Sequence, residues 1–171
     1  MKVVETKITK LTIREIEGLN DVTVALQDIE TGRGKIAIEC YSESWTACWR
    51  EMEGRTIAEF FCSCDERYLV GNFSDTEPQV IDYESVISQV KKEIIKARRY
   101  RELSHYDARG LFDDAKNLVP GNLNHEYMYK IYGDQWWCSL PMKPNPEQEY
   151  LCRIIKTVKQ ALRPSTANAV T

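Results

Sequence analysis

Residues 22–40 read VTVALQDIETGRGKIAIEC and set the pattern of the N-terminal half. Apolar residues occupy every second position of Val22–Leu26 and of Ile36–Cys40, which is the period of a strand with one buried face. The glycines of residues 30–34 permit the backbone angles of a hairpin turn between these two runs. A further apolar run at Ile8–Ile13 comes before them. The pattern predicts three antiparallel strands.

Short helices are predicted to follow these strands. Trp45, Cys48 and Trp49 have the i, i+3, i+4 spacing of one helical face, so residues 45–52 are predicted to form a helix. Capping boxes, in which a Ser or Thr and a Glu three residues later satisfy each other's backbone donors, mark two more helix starts. The capping pairs are Thr56 with Glu59 and Ser63 with Glu66.

The second half of the chain has the apolar period of helices. Asp82 precedes a stripe with a 3.6-residue repeat that continues to about Leu103. Asn145–Pro146 combines a capping residue with a proline at the first helical position, and so marks the start of another long helix. Helices are predicted at about 83–103, 105–118, 125–131 and 146–163.

These patterns predict an α+β fold, with an N-terminal three-stranded antiparallel sheet and short helices, and a C-terminal half of about four helices. Residues around 72–80 lack any apolar period and contain Pro78, which is typical of a connection between lobes. The predicted organisation is a sheet and short-helix lobe at 1–73, a linker at 74–82, a helical lobe at 83–163 and a flexible tail at 164–171.

Composition limits the class of protein. Among 171 residues, 23 Lys and Arg face 26 Asp and Glu, so the net charge of −3 provides no overall basic field for nucleic acid or anionic lipid. We expect no secretory signal, because residues 1–11 contain no continuous apolar stretch, and no membrane span, because no 18 apolar residues run together. Cys62 and Cys64 lack the spacing of a zinc site. We therefore expect a soluble cytoplasmic protein whose six cysteines are reduced, without a membrane partner.

Few residues are placed to catalyse a reaction. His105 and His125 each begin a predicted helix beside an acidic residue, where capping explains them as well as catalysis does. Asp113 and Asp114 point about 100° apart on a helix, which suits a solvated face better than a metal site. No nucleophile elbow, paired-histidine zinc motif or glycine-rich nucleotide loop is present. We expect no enzyme, cofactor, metal or small-molecule ligand; a hydrolase using either histidine is the enzymatic alternative.

One predicted helix carries a cluster of cations in an otherwise acidic chain, with Tyr100 among them. Such a cluster suits a phosphate backbone or an acidic protein surface. A solvated helix face, favoured by cations near its C-terminal end, is the alternative that needs no partner. The candidate nucleic-acid-binding residues are Lys91, Lys92, Lys96, Arg98, Arg99 and Arg101.

Two adjacent tryptophans are the other unusual feature. Two neighbouring indoles rarely both fit one core, so one of Trp136 and Trp137 is a candidate for an interface or for a cleft between lobes. Packing of these rings within a core is the interpretation that the pattern favours. The candidate protein-binding residues are Trp136, Trp137, Tyr132 and Trp45.

Two segments have a distinctive order of aromatic, cysteine and proline residues. The first, Gly34–Leu69, contains Lys35, Ile36, Ile38, Glu39, Cys40, Tyr41, Ser42, Ser44, Trp45, Trp49, Ile57, Phe60, Phe61, Cys64, Asp65 and Tyr68. The second, Gly133–Leu162, contains Asp134, Trp136, Trp137, Leu140, Pro141, Lys143, Pro144, Asn145, Pro146, Tyr150, Leu151, Cys152, Arg153, Ile154 and Ile155. Together they resemble a group of small accessory proteins from the early region of lambdoid phages and prophages of enteric bacteria.

The resemblance implies a context and assigns no functional residue. Early-region accessory proteins of this size commonly bind and retune a host factor, block a defence system or assist recombination. We therefore expect a non-catalytic phage protein of the host cytoplasm that binds and modulates a host protein, such as a defence nuclease. The alternative is a DNA-binding accessory of phage recombination or replication.

Overall fold

The computed structural model describes residue 3, residues 5–118, residues 128–129 and residues 132–167, with side chains as far as Arg163. The chain divides into two compact units. The first unit comprises the residues up to Glu77 together with those from Pro146 on, and the second is Pro78–Asn145. The fold class is α+β, as predicted.

The first unit is built on one antiparallel sheet with the strand order β1-β2-β3-β4. Its strands are β1 (Thr9–Ile13), β2 (Val22–Glu30), β3 (Arg33–Cys40) and β4 (Glu43–Trp49). The predicted hairpin joins β2 to β3 through Gly32, whose φ of 74° suits a residue without Cβ. Alternate residues of β2 and β3 are buried, as the period of two predicts.

The sheet has four strands, so the prediction of three was wrong. The error lies in residues 45–52, which were predicted to form a helix. Trp45 and Trp49 are four residues apart, a spacing that puts two side chains on the same face of a strand as well as of a helix. Trp45 pairs with Ile38 and Trp49 with Gly34, so both face the buried side, whereas Cys48 is exposed.

Three helices pack on the buried face of this sheet. They are α1 (Ile57–Ser63), α2 (Glu66–Phe73) and α5 (Pro146–Ala167). Thr56 and Glu59 form the predicted capping box at the start of α1. At α2 the capping residue is Asp65 rather than the predicted Ser63, and its carboxylate accepts a hydrogen bond from the Arg67 backbone.

Helix α5 is central to the first core although it is distant in sequence. Its buried residues pack with those of the sheet, α1 and α2. The buried Lys159 adds polar contacts, because its Nζ donates to the Cys64 carbonyl and to Glu66 Oε1, each at 2.7 Å. The hydrogen bond from Lys159 to the Glu66 carboxylate holds the pKa of Glu66 below its ordinary value. The buried apolar residues of α5 are Leu151, Ile154, Ile155, Val158 and Leu162.

The second unit contains a two-stranded antiparallel sheet and helices. The elements that lie fully within its described residues are β5 (Gln79–Ile81), α3 (Tyr83–Arg99), α4 (His105–Asp114) and β6 (Met142–Pro144), with 3-10 turns at Ala115–Asn117 and Trp136–Cys138. Asp82 and Ser104 cap α3 and α4 as predicted. The core of this unit is formed by Val86, Val90, Ile94, Ala108, Ala115, Met128 and Leu140.

The structure differs from the predicted organisation at three places. The lobe predicted at 83–163 included the C-terminal helix, which instead packs in the first unit. The predicted linker at 74–82 contains strand β5. Helix α5 extends beyond Pro164 to Ala167, into the predicted tail at 164–171. Most of the helix predicted at 125–131 lies outside the described residues. No helix within the described part of the chain has the length and apolar composition needed to cross a bilayer.

Candidate functional site: a cationic groove between two helices

Helix α3 separates apolar and cationic residues onto different faces. Val86, Val90 and Ile94 recur every four residues and are buried in the core of the second unit. Lys92 and Lys96 lie on another face and are exposed. Because the helix has 3.6 residues per turn, the apolar stripe fixes which way the cations point.

Helix α4 packs against α3 and leaves a shallow groove between them. Ile94, Ala108 and Phe112 form an apolar floor, and cations of both helices line the sides. The described residues that line this groove are Ile94, Ile95, Arg98, Arg99, His105, Ala108, Arg109, Phe112, Asp113 and Lys116.

A second depression adjoins the groove along α3. Ile95 and Arg99 line both depressions, so they form one continuous surface. We call this surface the cationic groove. The described residues that line only its second part are Lys92, Lys96 and Tyr100.

The lining of the cationic groove is strongly positive. Six of its described residues are Lys or Arg, and Asp113 is its carboxylate. Asp113 accepts a hydrogen bond of 2.7 Å from Lys116 Nζ, which holds the pKa of Asp113 below its ordinary value. The local charge therefore contrasts with the net −3 of the whole chain, and it favours an anionic ligand.

Two lysines hold Phe112 in the floor of the groove. Lys91 Nζ lies 5.2 Å and Lys116 Nζ 5.8 Å from the centre of its ring, both within the range of cation–π attraction. Lys91 is half-buried, and its charge contributes to positioning the ring. The floor thus combines apolar surface with adjacent positive charge.

Exposed apolar side chains accompany the cations. Ile95 is 43% exposed at the junction of the two depressions, and Tyr100 is 70% exposed beside it. Tyr106, in the first turn of α4, is 86% exposed. Protein interfaces use both kinds of residue next to cations, whereas single-stranded nucleic acids stack their bases on exposed aromatic rings such as those of the two tyrosines.

A comparison with known protein families finds one whose model matches nearly the whole chain. Residues 1–164 match the model of the family named Phage_phiTE_072, which is described as a phage family. The chain belongs to this phage family. No curated protein and no solved structure matches the phage protein significantly. The phage origin inferred from the sequence is therefore confirmed, while the family description names no activity.

The structure brings four of the six predicted cations of the phage protein to the cationic groove. These are Lys92, Lys96, Arg98 and Arg99. Lys91 instead packs over Phe112. Arg101 follows the end of α3 with a φ of 60° and is not among the lining residues described above.

Sequence patterns missed the contribution of α4 to the groove. Arg109 and Phe112 on α4 line the groove, as does Lys116 in the 3-10 turn that follows α4. The sequence did contain a signal for the two cations. Arg109 follows Ala108 and Lys116 follows Ala115, and both alanines belong to the apolar stripe of the predicted helix. Only the packing of α4 on α3 shows that the two sets of cations face one groove.

The aromatic candidates have separate places in the phage protein. Trp137 is 56% exposed, whereas Trp136 and Tyr132 pack against the second core. The Tyr132 hydroxyl donates to Gln89 Oε1, and burial raises the pKa of this tyrosine. Trp45 belongs to the first unit, where its ring lies 6.4 Å from that of Tyr150.

Few titratable side chains in the described part of the phage protein lie together as a catalytic or metal site would require. His105 lines the cationic groove, whereas His125 lies outside the described residues. Asp107 serves the start of α4, where its backbone N–H donates to Ser104 Oγ and its carboxylate accepts from the same hydroxyl. Within the described ranges, no three His, Cys, Asp or Glu side chains cluster closely enough to hold a metal ion.

Proposed function

We propose that this phage protein binds and modulates a host protein through the cationic groove, without catalysing a reaction. The resemblance to early-region proteins supports a lambdoid phage or prophage of enteric bacteria as its source, and the cytoplasm of the host as its place of action. A defence nuclease or another host factor with an acidic surface is the partner class.

The observation that carries the proposal is the composition of the groove. Ile95 and Phe112 are apolar residues of its lining, and Arg98, Arg99 and Arg109 line the same groove. Protein interfaces combine such groups, because apolar contacts supply much of the binding free energy and charged residues select the partner. Arginine in particular pairs with carboxylates through two parallel hydrogen bonds.

The proposal includes the absence of catalysis, because binding alone is sufficient for this role. A hydrolase acting in the groove would use His105, the histidine among the described residues that line it. Replacing His105 by alanine separates the two: an enzyme that depends on this imidazole loses its effect on the host while the partner stays bound, whereas in a binding protein the effect and the binding change together.

The test is co-purification from host cells with charge reversal of the groove. We expect a stoichiometric partner to be retained by the wild-type chain and lost from a variant with Lys92, Lys96 and Arg99 changed to Glu. The matched control changes Lys35, Arg50 and Arg67, which are exposed in the first unit, to Glu. Retention of the partner by the groove variant, or its loss from both variants, contradicts the proposal.

A second candidate function is DNA binding in phage recombination or replication. Lys92, Lys96 and Arg99 follow one face of α3 at intervals of about 6 and about 4.5 Å along the axis, and Tyr100 is exposed beside them. Fluorescence anisotropy with single- and double-stranded oligonucleotides tests this candidate. Phosphate contacts require an affinity that falls steeply with salt, and flat traces at low salt exclude them.

A further inference from the structure

We infer that the occupant of the cationic groove is an acidic amphipathic helix of the partner, which places its apolar stripe on Ile95 and Phe112. This inference rests on the proposed function and specifies the chemistry of the partner. It commits to one ligand class, in which an apolar stripe is flanked by carboxylates on both sides.

The shape of the groove is the first argument. It runs between α3 and α4, two packed helices whose surfaces expose ridges and grooves of side chains. A third helix packs on such a surface by inserting its own side chains between those ridges. Recognition of a helix by a groove is a common binding mode, with anchors at i, i+3 or i+4 and i+7.

The distribution of charge is the second argument. Arg98 and Arg99 on α3 line the groove together with Arg109 on α4 and Lys116 in the 3-10 turn that follows α4. A helix lying between these walls therefore meets cations on both flanks of its buried stripe. Carboxylates on both flanks complement this pattern, and basic side chains are repelled by it.

The exposed apolar surface is the third argument, and it separates a protein helix from nucleic acid. Ile95 is 43% exposed at the junction of the two depressions, which it lines together with Arg99. A phosphate backbone gains binding free energy from the cations but none from covering an isoleucine. A leucine or isoleucine of a partner helix buries Ile95 and gains from both.

The test measures binding of designed peptides to the full-length chain. The first peptide is an acidic helix of about 18 residues, or five turns, with leucines at i, i+4, i+7 and i+11 and glutamates on both flanks. The second has the same charge and serines in place of the leucines. The third probe is a single-stranded oligonucleotide of similar length. We expect the leucine peptide to bind at least about tenfold more tightly than the serine peptide.

Substitution of Ile95 identifies the groove as the place of binding. We expect Ile95→Ser to weaken the leucine peptide about tenfold and to leave the serine peptide unchanged. Ile29→Ser is the matched control, because Ile29 is also 43% exposed but belongs to the first unit. Circular dichroism of both variants confirms that they retain the fold.

Each remaining outcome overturns the inference. Equal affinity for the two peptides, or no effect of Ile95→Ser, means that charge alone governs the groove. Tightest binding of the oligonucleotide, sensitive to the cations and insensitive to Ile95, assigns the groove to nucleic acid. The proposed function fails separately, when reversal of Lys92, Lys96 and Arg99 leaves the host partner bound.

Discussion

Tyr41 is a residue whose conformation and side chain are poorly matched. It begins the two-residue turn between β3 and β4, which is closed by the pairing of Cys40 with Glu43. Its φ is 55°, a region that costs most L residues about 1–2 kcal/mol, and its side chain is 85% exposed. The fold of the first unit therefore retains a local strain that packing of this side chain does not offset.

Replacing Tyr41 by glycine is expected to stabilise the first unit. Glycine reaches positive φ without the steric penalty, so the free energy of unfolding should rise by about 0.5–1 kcal/mol, measured by urea denaturation. Tyr41→Ala is the control, because alanine keeps the penalty. An equal gain with alanine would assign the effect to removal of the exposed ring rather than to backbone strain.

Individual residues of the groove differ in how far sequence could reveal them. The cations of α3 stand out because they are close together along the chain, and four of them line the groove. Ile95 has no such signal, since it is one apolar residue among several in the helix. Its role depends on its 43% exposure beside Arg99, which sequence does not determine.

Strand β4 shows how an element can be misassigned when two periods agree. Trp45 and Trp49 lie on one face of either a helix or a strand, and the short run offers no further repeat to distinguish them. The tight turn at 41–42 places the segment beside β3, where its backbone completes the sheet. Pairing with a neighbour therefore overrides the local helical pattern, as is common for strands.

Helix α5 is the element on which the first core depends most clearly. We expect Ile155→Ala to lower the free energy of unfolding by about 2–5 kcal/mol, because Ile155 is fully buried and its removal leaves a cavity. Lys156→Ala, at the exposed neighbouring position, should change it by about 0.5 kcal/mol or less. Similar losses for both variants, in the same denaturation experiment, would contradict this packing of α5.

At the scale of the whole molecule, the second unit is an insertion into the first. The first unit is discontinuous, and the side-chain amide of Gln148 donates to the Thr76 carbonyl close to both of its breaks. In the second unit, the Asn145 backbone N–H donates to the Pro78 carbonyl at 3.1 Å. The ends of each unit are therefore close to each other, a geometry that tolerates domain insertion.

Excision tests this organisation. Replacing residues 78–145 with a Gly/Ser linker of about six residues, which spans the short gap, should leave the first unit folded, with dispersed amide NMR signals and cooperative unfolding. A chain that ends at Glu77 is the control and should not fold, because it lacks the buried residues of α5. Loss of cooperative unfolding in the linked chain would show that the first unit requires the second.

Local patterns in the chain were sufficient for the features that depend on near neighbours. The alternation of β2 and β3, the caps at Thr56, Asp82 and Ser104 and the start of α5 all follow from interactions within a few residues. Features that join distant segments required the folded structure. The fourth strand, the packing of α5 in the first core and the meeting of α3 and α4 cations around one groove depend on long-range packing, whose free energy no local pattern contains.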